Sequence, residues 1–158
     1  MPKAYIGIKF HPNASNKPTI EALTTALTTA GFTTTCIHRD VELFGEVQLS
    51  PAALMDKTFE VIRSCDLVVI ELSEKGVGLG IEAGYAFARD IPVVAVARKG
   101  ADISNTLRGV SREVFEYESW EELVPITVDT LATRWSHNIV NHNLLFLRQD
   151  HNTTTVQM

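Results

Sequence analysis

The sequence predicts an α/β fold with a mainly parallel five-stranded sheet. Runs of β-forming residues alternate along the chain with segments of helical periodicity. The apolar run at residues 67–70 is typical of a buried strand, as parallel sheets covered on both faces require. A length of 158 residues with 45% hydrophobic content is sufficient for one globular domain, which we place at residues 1–158.

The first half of the chain supplies two strands and two helices. The first strand is predicted at residues 4–10, and the next helix places Ile20, Leu23 and Leu27 on one face before Gly31. Residues 32–37 form the second predicted strand. Residues 38–49 are predicted as a loop, and loops this long in compact α/β units are often functional.

The second half begins with a helix that Ser50 caps and that has Met55, Phe59 and Ile62 as its buried stripe. Strands are predicted at residues 67–72 and 92–97, with a glycine-rich segment and a helix between them. A short helical turn at 102–107, a final strand at 114–117 and a last helix from 120 to about 135 follow. The tail from about residue 138 is predicted to be an interface segment or partly disordered, because it is polar except at 144–147.

This order of elements implies a flavodoxin-like or Rossmann-like three-layer sandwich. Crossover connections in such folds are right-handed, and ligands bind at the carboxyl ends of the strands. Tyr5, the 38–49 loop and the glycine-rich segment are therefore expected to meet at that edge of the sheet.

Composition restricts the partners that the chain can have. A net charge of −5 and a pI of about 5.5 argue against a nucleic-acid polymer but allow a small phosphorylated ligand. The sequence has neither a long apolar run nor a signal pattern, so we expect a cytoplasmic protein without membrane contact. Cys36 and Cys65 are predicted to be buried thiols, and the spacing of the histidines indicates no metal site.

The most informative motif is a set of glycines on alternate positions, Gly76, Gly78 and Gly80, between a strand and a helix predicted at residues 81–89. Glycine has no Cβ, so the backbone there can approach a ligand closely. Glu82 is predicted in the first helical turn, where the helix dipole favours the ionised carboxylate that a nucleophile requires. Small residues after it are expected to hold the helix tightly on the sheet: Ala83, Gly84 and Ala86.

Two other interpretations of this motif are possible. A dinucleotide-binding loop has the spacing G-x-G-x-x-G after the first strand, whereas this chain has G-x-G-x-G after the third, so that interpretation is weak. Glu82 could also be an ordinary first-turn residue that only stabilises the helix.

Residues 78–86 have the sequence GLGIEAGYA, which resembles the signature of the nucleoside 2-deoxyribosyltransferase family. That family includes base-exchanging transferases and the related 2'-deoxynucleoside 5'-phosphate N-hydrolases. The resemblance extends from about residue 5 to 110 and includes ISNTLRG at 103–109. It implies that Glu82 attacks the anomeric carbon of the sugar, that Tyr5 orients Glu82, and that no cofactor is needed.

Other positions match the family unevenly. Ser104 matches a serine of the hydrolases where transferases have asparagine, and it implies a 5'-phosphate ligand and a homodimer or higher oligomer with shared active sites. Gly76 replaces an aspartate of the transferases or a serine of the hydrolases, and Thr58 replaces an aspartate near the base. His11 lies near a basic ligand contact of the hydrolases, although it could be an ordinary surface residue.

The resemblance therefore predicts an enzyme that cleaves the N-glycosidic bond of a nucleoside or its 5'-monophosphate. A covalent glutamyl-sugar intermediate would be resolved by water or by a second base, and the sequence leaves both acceptors open. The alternative is a non-catalytic nucleotide-binding module on the same fold. A flavin carrier is disfavoured, because residues 9–13 lack a glycine-rich phosphate loop.

Overall fold

The computed structural model describes residues 1–127, and it confirms the predicted α/β sandwich. Within these residues the sheet has five parallel strands in the order β2-β1-β3-β4-β5, which is the flavodoxin-like order. The strands are β1 Lys3–Ile8, β2 Thr33–Thr35, β3 Leu67–Glu71, β4 Val93–Arg98 and β5 Glu113–Tyr117.

Helices cover both faces of this sheet. They are α1 Lys17–Thr29, α2 Ile37–Asp40, α3 Pro51–Arg63, α4 Val77–Phe87, α5 Asn105–Val110 and α6 Leu123–Thr127, with 3-10 turns at Leu43–Gly45 and Trp120–Glu122. None of the described helices is long and apolar enough to cross a membrane. The predicted cap of α3 is present, because the backbone N–H of Ala53 donates to Ser50 Oγ at 3.2 Å.

The core consists of two apolar layers, one on each side of the sheet. On one side α1 and α6 pack against the strands through Ile20, Leu23, Leu27 and Leu123. On the other side α3, α4 and α5 contribute Ile62, Leu79, Ala83, Ala86 and Leu107. All five residues of β3 are buried, as expected for a central parallel strand.

The segment predicted as a loop at residues 38–49 is partly helical. Its first residues form α2, and the N–H of Cys36 donates to Asp40 Oδ2 at 2.9 Å. The guanidinium of Arg39 then ties α2 to α1 by donating to Thr24 Oγ1 at 2.6 Å. These contacts end β2 at Thr35, two residues before the predicted end of the strand, and place α2 at the edge of the sheet.

The glycine-rich helix begins four residues earlier than predicted. Gly76 is the extended N-cap residue with φ −152°, and α4 runs from Val77, so Glu82 lies in its second turn. The prediction that Glu82 occupies the first turn is therefore wrong. Ala83 and Ala86 are fully buried against the sheet as predicted, whereas Gly84 is exposed.

The C-terminal helix is confirmed only in its first part. Residues 120–122 form a 3-10 turn and residues 123–127 form α6. The rest of the helix predicted to residue 135, the tail from 138 and the apolar patch at 144–147 lie outside the described residues.

Candidate active site

A cavity of about 500 Å³ opens beside β1, between α2, α3 and α4. In this strand order the chain reverses direction across the sheet between β1 and β3, which is where doubly wound folds bind their ligands. Five of the residues predicted for the site line the cavity together: Tyr5, Thr58, Gly76, Gly78 and Glu82.

Glu82 extends from α4 to the surface of β1. Its Oε2 atom is buried and has no hydrogen-bond partner within residues 1–127. The carboxyl group fits there because Gly7 of β1 has no side chain: a Cβ on Gly7 would lie 2.5 Å from Oε2 and 2.7 Å from Ile70 Cδ1. The strand glycine therefore creates the space that the carboxyl group occupies.

The environment of Glu82 makes its negative charge costly. Burial raises the pKa of Glu82 from 4.5 to about 7, and the neighbouring Tyr5 hydroxyl only partly offsets this by favouring the carboxylate. The expected dipole stabilisation of an ionised first-turn carboxylate is therefore not what governs this residue. Burial and the charge of Glu82 hold the pKa of Tyr5 well above its usual value, so Tyr5 stays a neutral hydrogen-bond donor.

The wall opposite α4 is apolar and aromatic. Ile37, Leu54 and Met55 form part of it, and Phe10 lies at the rim with 46% of its surface exposed. The ring of His38 packs edge-on against Phe10, with 4.6 Å between ring centroids. Such a wall can accommodate a flat ring with apolar faces.

His38 and Glu42 form a polar pair in this wall that was not predicted from the sequence. His38 is only 4% exposed, and neither ring nitrogen has a hydrogen-bond partner in the described part of the chain. Its Nδ1 atom lies 3.6 Å from Oε2 of Glu42, four residues further along the chain. The signal available in the sequence was the i, i+4 spacing of a histidine and a glutamate directly after β2.

Thr58 lies in the cavity wall, but its hydroxyl is already used. Thr58 Oγ1 donates to the backbone oxygen of Leu54 at 2.8 Å, one turn back along α3. A Cβ on Gly78 would meet no atom within 4 Å in residues 1–127, so this position faces open space.

Ser104 and Gly80 line a neighbouring groove rather than the Glu82 cavity. This groove, also about 500 Å³, lies between α4 and α5 and shares Gly76 with the first cavity. Ser104 Oγ lies 2.7 Å from Thr106 Oγ1, and Lys75 at the groove pairs with Asp102 at 2.5 Å. Ser104 and Glu82 of the same chain are therefore in adjacent cavities.

His11 lies in a third cavity, of about 310 Å³, which shares Ile8 and Lys9 with the Glu82 cavity. Its Nδ1 is 2.6 Å from Ser15 Oγ and its Nε2 is 2.7 Å from Glu74 Oε2. Burial raises the pKa of Glu71 in this cavity, and Glu71 accepts a hydrogen bond from Tyr117 at 2.9 Å.

The two cysteines are free and buried, as predicted. Burial raises the pKa of Cys36, which lines the Glu82 cavity, to about 11. Among the described residues, no three histidine, cysteine or carboxylate side chains are grouped so that they could hold a metal ion.

Comparison with known proteins gives two curated relatives, while no protein-family model matches the chain. Both relatives carry the provisional name 2'-deoxynucleoside 5'-phosphate N-hydrolase 1. The protein of Syntrophotalea carbinolica is 38% identical over 84 residues, which cover 51% of this chain and 59% of the relative. The protein of Thermofilum pendens is 24% identical over 124 residues, which cover 77% of this chain and 87% of the relative. The match thus spans less than two thirds of the first relative.

Solved structures with the same fold include three of similar size. A 2-deoxyribosyltransferase from Bacillus psychrosaccharolyticus has a TM-score of 0.58 at 18% identity, covering 77% of this chain and 90% of its own. The Clostridium botulinum CMP N-glycosidase has a TM-score of 0.56 at 19% identity, with coverage of 77% and 95%. A conserved Enterococcus faecalis protein has a TM-score of 0.63 at 16% identity, with coverage of 78% and 95%. The named relatives confirm that the chain resembles the nucleoside 2-deoxyribosyltransferase family and its N-hydrolase branch.

Proposed function

We propose that this protein cleaves the N-glycosidic bond of a 2'-deoxynucleoside 5'-monophosphate, with Glu82 as the nucleophile. The observation that carries the proposal is the carboxyl group of Glu82, buried in a cavity with one oxygen that has no hydrogen-bond partner within residues 1–127. A buried polar atom without a partner is costly unless a ligand uses it. A sugar carbon that develops positive charge would interact favourably with this oxygen although it is not a hydrogen-bond donor.

The burial of Glu82 supplies part of the driving force. A carboxylate whose pKa is raised to about 7 by burial is destabilised as an anion, and forming a neutral glycosyl ester removes that cost. Cleavage passes through an oxocarbenium-like state, which the same carboxylate stabilises as it approaches the anomeric carbon. Tyr5 remains protonated and orients the carboxylate by hydrogen bonding.

The surrounding surfaces suit the remaining parts of a nucleotide. The apolar wall that contains Phe10 and Met55 would bind the faces of the base. The 5' side of the sugar would lie toward Gly76, where the Glu82 cavity meets the groove with Ser104 and Lys75. A 5'-phosphate in the substrate is supported by the names of both curated relatives.

Water is the acceptor that we favour, because both curated relatives are named as N-hydrolases. Transfer to a second base is the other candidate acceptor reaction, and it is supported by the likeness of GLGIEAGYA at residues 78–86 to the transferases. Both reactions use the same glutamyl-sugar intermediate and differ only in the group that attacks it.

The test is an assay of base release from a panel of deoxynucleosides, ribonucleosides and their monophosphates, with and without a free acceptor base. Release without an acceptor supports hydrolysis, and exchange that requires an acceptor supports transfer. Binding of a nucleotide without turnover supports the non-catalytic module and contradicts the proposal.

The Glu82→Gln variant should lose at least about 10³-fold in turnover, because an amide cannot act as the nucleophile. Glu60→Gln is the matched control, since Glu60 is an exposed residue of α3 that pairs with Lys57 away from the cavity. Full activity in Glu82→Gln would remove the assignment.

A further inference from the structure

The proposed reaction needs a proton for the leaving base, and the structure restricts where it can come from. A purine or pyrimidine anion is a poor leaving group, so a general acid near the base accelerates bond cleavage. Thr58 cannot serve, because its hydroxyl already donates to Leu54 and a hydroxyl is a weak acid. The titratable side chains that line the cavity within residues 1–127 are Tyr5, Lys9, Cys36, His38, Glu42 and Glu82.

Four of these six groups are unsuitable as the acid. Glu82 must be ionised to attack the sugar, and burial keeps Tyr5 and Cys36 protonated far above neutral pH. Lys9 lines the cavity, but its half-exposed ammonium lies 3.5 Å from the carboxylate of Glu74, which is not a cavity residue. The remaining two groups are His38 of α2 and Glu42, which follows the end of α2 and lies 3.6 Å from the His38 ring.

We propose that His38 is the general acid that protonates the leaving base, and that Glu42 orients its ring. This inference rests on the proposed function and extends it to a second catalytic residue. Nδ1 lies 3.6 Å from the Glu42 carboxylate, so we assign proton exchange with the ligand to the other ring nitrogen, Nε2, which is buried and has no hydrogen-bond partner in the described residues. A carboxylate that fixes the tautomer of a histidine in this way is a recurrent catalytic arrangement.

The surroundings of His38 favour this role over a structural one. A buried histidine that only supports the fold normally has hydrogen-bond partners for its nitrogens, and His38 has none in the described residues. Its ring is held between the edges of Phe10 and Phe44, with centroid distances of 4.6 Å and 5.4 Å. The ring is thus fixed in position in the wall where the base would bind.

In the first half-reaction, a Glu82 oxygen forms a bond to the anomeric carbon as the bond from that carbon to the base nitrogen breaks. The electron pair of the broken bond stays on the base, which takes the proton from His38 Nε2 and leaves neutral. The ring of His38 becomes neutral, and the carboxylate becomes a neutral ester.

In the second half-reaction, neutral His38 acts as the base. Water attacks the anomeric carbon, the ester bond breaks, and its electron pair returns to Glu82 as a carboxylate. The proton lost by water goes to Nε2, which restores the charged ring for the next cycle. One group thus acts as acid and then as base, as in retaining glycosidases.

The decisive experiment compares two substrates in wild-type protein and His38→Asn. One is the best 2'-deoxynucleoside 5'-monophosphate of the panel, and the other is 4-nitrophenyl 2-deoxyribofuranoside 5-phosphate, whose nitrophenolate leaves without a proton. We expect kcat to fall by about 10²-fold or more on the nucleotide and by less than about threefold on the nitrophenyl glycoside. Equal losses on both substrates, or no loss on either, overturns the role of His38.

A second variant separates an effect on catalysis from an effect on folding. Glu42→Gln keeps the size of the side chain, and it should lower kcat on the nucleotide by about tenfold without affecting the nitrophenyl glycoside. Glu60→Gln is again the matched control. If Glu42→Gln has no selective effect, the orienting role is wrong.

Failure of the underlying function is distinguishable from failure of this inference. If wild-type protein releases neither a base nor nitrophenolate, the proposed function and the role of His38 are both wrong. If wild-type protein cleaves both substrates and Glu82→Gln cleaves neither, the proposed function is supported. The results for His38→Asn then decide whether His38 is the general acid.

Discussion

At the scale of single residues, the candidate site depends on Gly7 as much as on Glu82. The carboxyl group of Glu82 reaches the sheet only because β1 has no side chain at this position. Burial at this contact raises the pKa of Glu82 to about 7. Because burial destabilises the carboxylate anion, it favours conversion of the anion to a neutral ester. Glu82 is identifiable from its motif, whereas no local signal marks Gly7, because the partner of a strand glycine depends on tertiary packing.

The raised pKa of Glu82 predicts how turnover depends on pH. The nucleophile must be ionised, so kcat/KM should rise with pH through about 7 as Glu82 loses its proton. A pH–rate profile of the wild-type protein on its best substrate checks this. A kcat/KM that is already constant from pH 5 upward would contradict the burial of Glu82 in the free protein.

The raised pKa of Glu82 also predicts how stability depends on pH. Activity should rise with pH, whereas the contribution of Glu82 to stability should fall. Folded Glu82 binds its proton more tightly than the unfolded chain does, so its contribution to stability is complete below about pH 4.5 and is lost as pH rises through about 7. A shift of this size corresponds to about 3 kcal/mol. Glu82→Gln should therefore unfold at higher denaturant concentration than wild type at pH 8, but not at pH 4.5.

The Gly7→Ala substitution should damage both stability and activity. Its Cβ would lie 2.5 Å from Glu82 Oε2 and 2.7 Å from Ile70 Cδ1, so the carboxyl group and the core must both shift. We expect a loss of about 1–3 kcal/mol in the free energy of unfolding, as for other overpacked cores, and a large loss of kcat. Urea unfolding and the base-release assay measure the two effects, and an unchanged kcat would contradict the role of this contact.

At the scale of elements, α4 carries glycines that the described fold does not need. Gly78, Gly80 and Gly84 lie inside the helix, where glycine costs about 1 kcal/mol relative to alanine. A Cβ at any of the three would meet nothing within 4 Å in residues 1–127. These glycines lower the intrinsic stability of the helix and leave part of its surface without side chains. A ligand or a second copy of the chain could approach the backbone closely at this surface.

Replacing Gly84 by alanine should consequently stabilise the isolated subunit. Gly84 lines the groove next to Ser104 rather than the Glu82 cavity, and the added methyl group points into open space. The expected gain is about 0.5–1 kcal/mol in the free energy of unfolding, measured by urea titration at low protein concentration. A destabilised variant would indicate that this surface of α4 is already packed.

The elements also mark the limits of prediction from sequence. The strands and α3 could be placed because apolar runs, Ser50 and Pro51 are local signals. The start of α4 could not be placed from the sequence, because a segment rich in glycine is typical of a loop. Packing of Leu79, Ala83 and Ala86 against the core stabilises the helix there. Likewise α2 depends on the side-chain contacts of Arg39 with a distant helix, and without α2 the pair of His38 and Glu42 stayed hidden.

At the scale of the whole molecule, the site is built where separate parts of the chain converge. Four successive elements, β1, α2, α3 and α4, each contribute a residue to one cavity beside β1: Tyr5, His38, Thr58 and Glu82. The parallel strand order explains this convergence, since carboxyl ends of neighbouring strands share one edge. The convergence of these segments was predictable from the sequence. The division into three adjacent cavities was not, and this division separates His11 and Ser104 from Glu82.

An oligomer with shared sites is our proposal for how Ser104 reaches the substrate. Within one subunit Ser104 lies in the groove beside α4, and α4 exposes 84% of Val77, 45% of Ile81 and 57% of Phe87. Exposed apolar side chains next to a side-chain-poor helix surface suit contact with a second copy.

Mixing two variants tests this arrangement. If Glu82 of one subunit acts with Ser104 of another, exchange of subunits between Glu82→Gln and Ser104→Ala forms intact sites in mixed dimers. Activity should rise to about a quarter of the wild-type value for random mixing of dimers. Activity that stays at the average of the two parent variants, or a monomer in sedimentation, would contradict shared sites.

In the proposed reaction, Glu82 becomes bonded to the sugar during turnover. The most direct measurement is mass spectrometry of protein quenched in acid during turnover of its best substrate, followed by mapping of the modified peptide. We expect a deoxyribosyl 5-phosphate adduct on the peptide that contains Glu82, and no adduct in Glu82→Gln. Active protein that shows no adduct under rapid quenching, or an adduct on another residue, would contradict it.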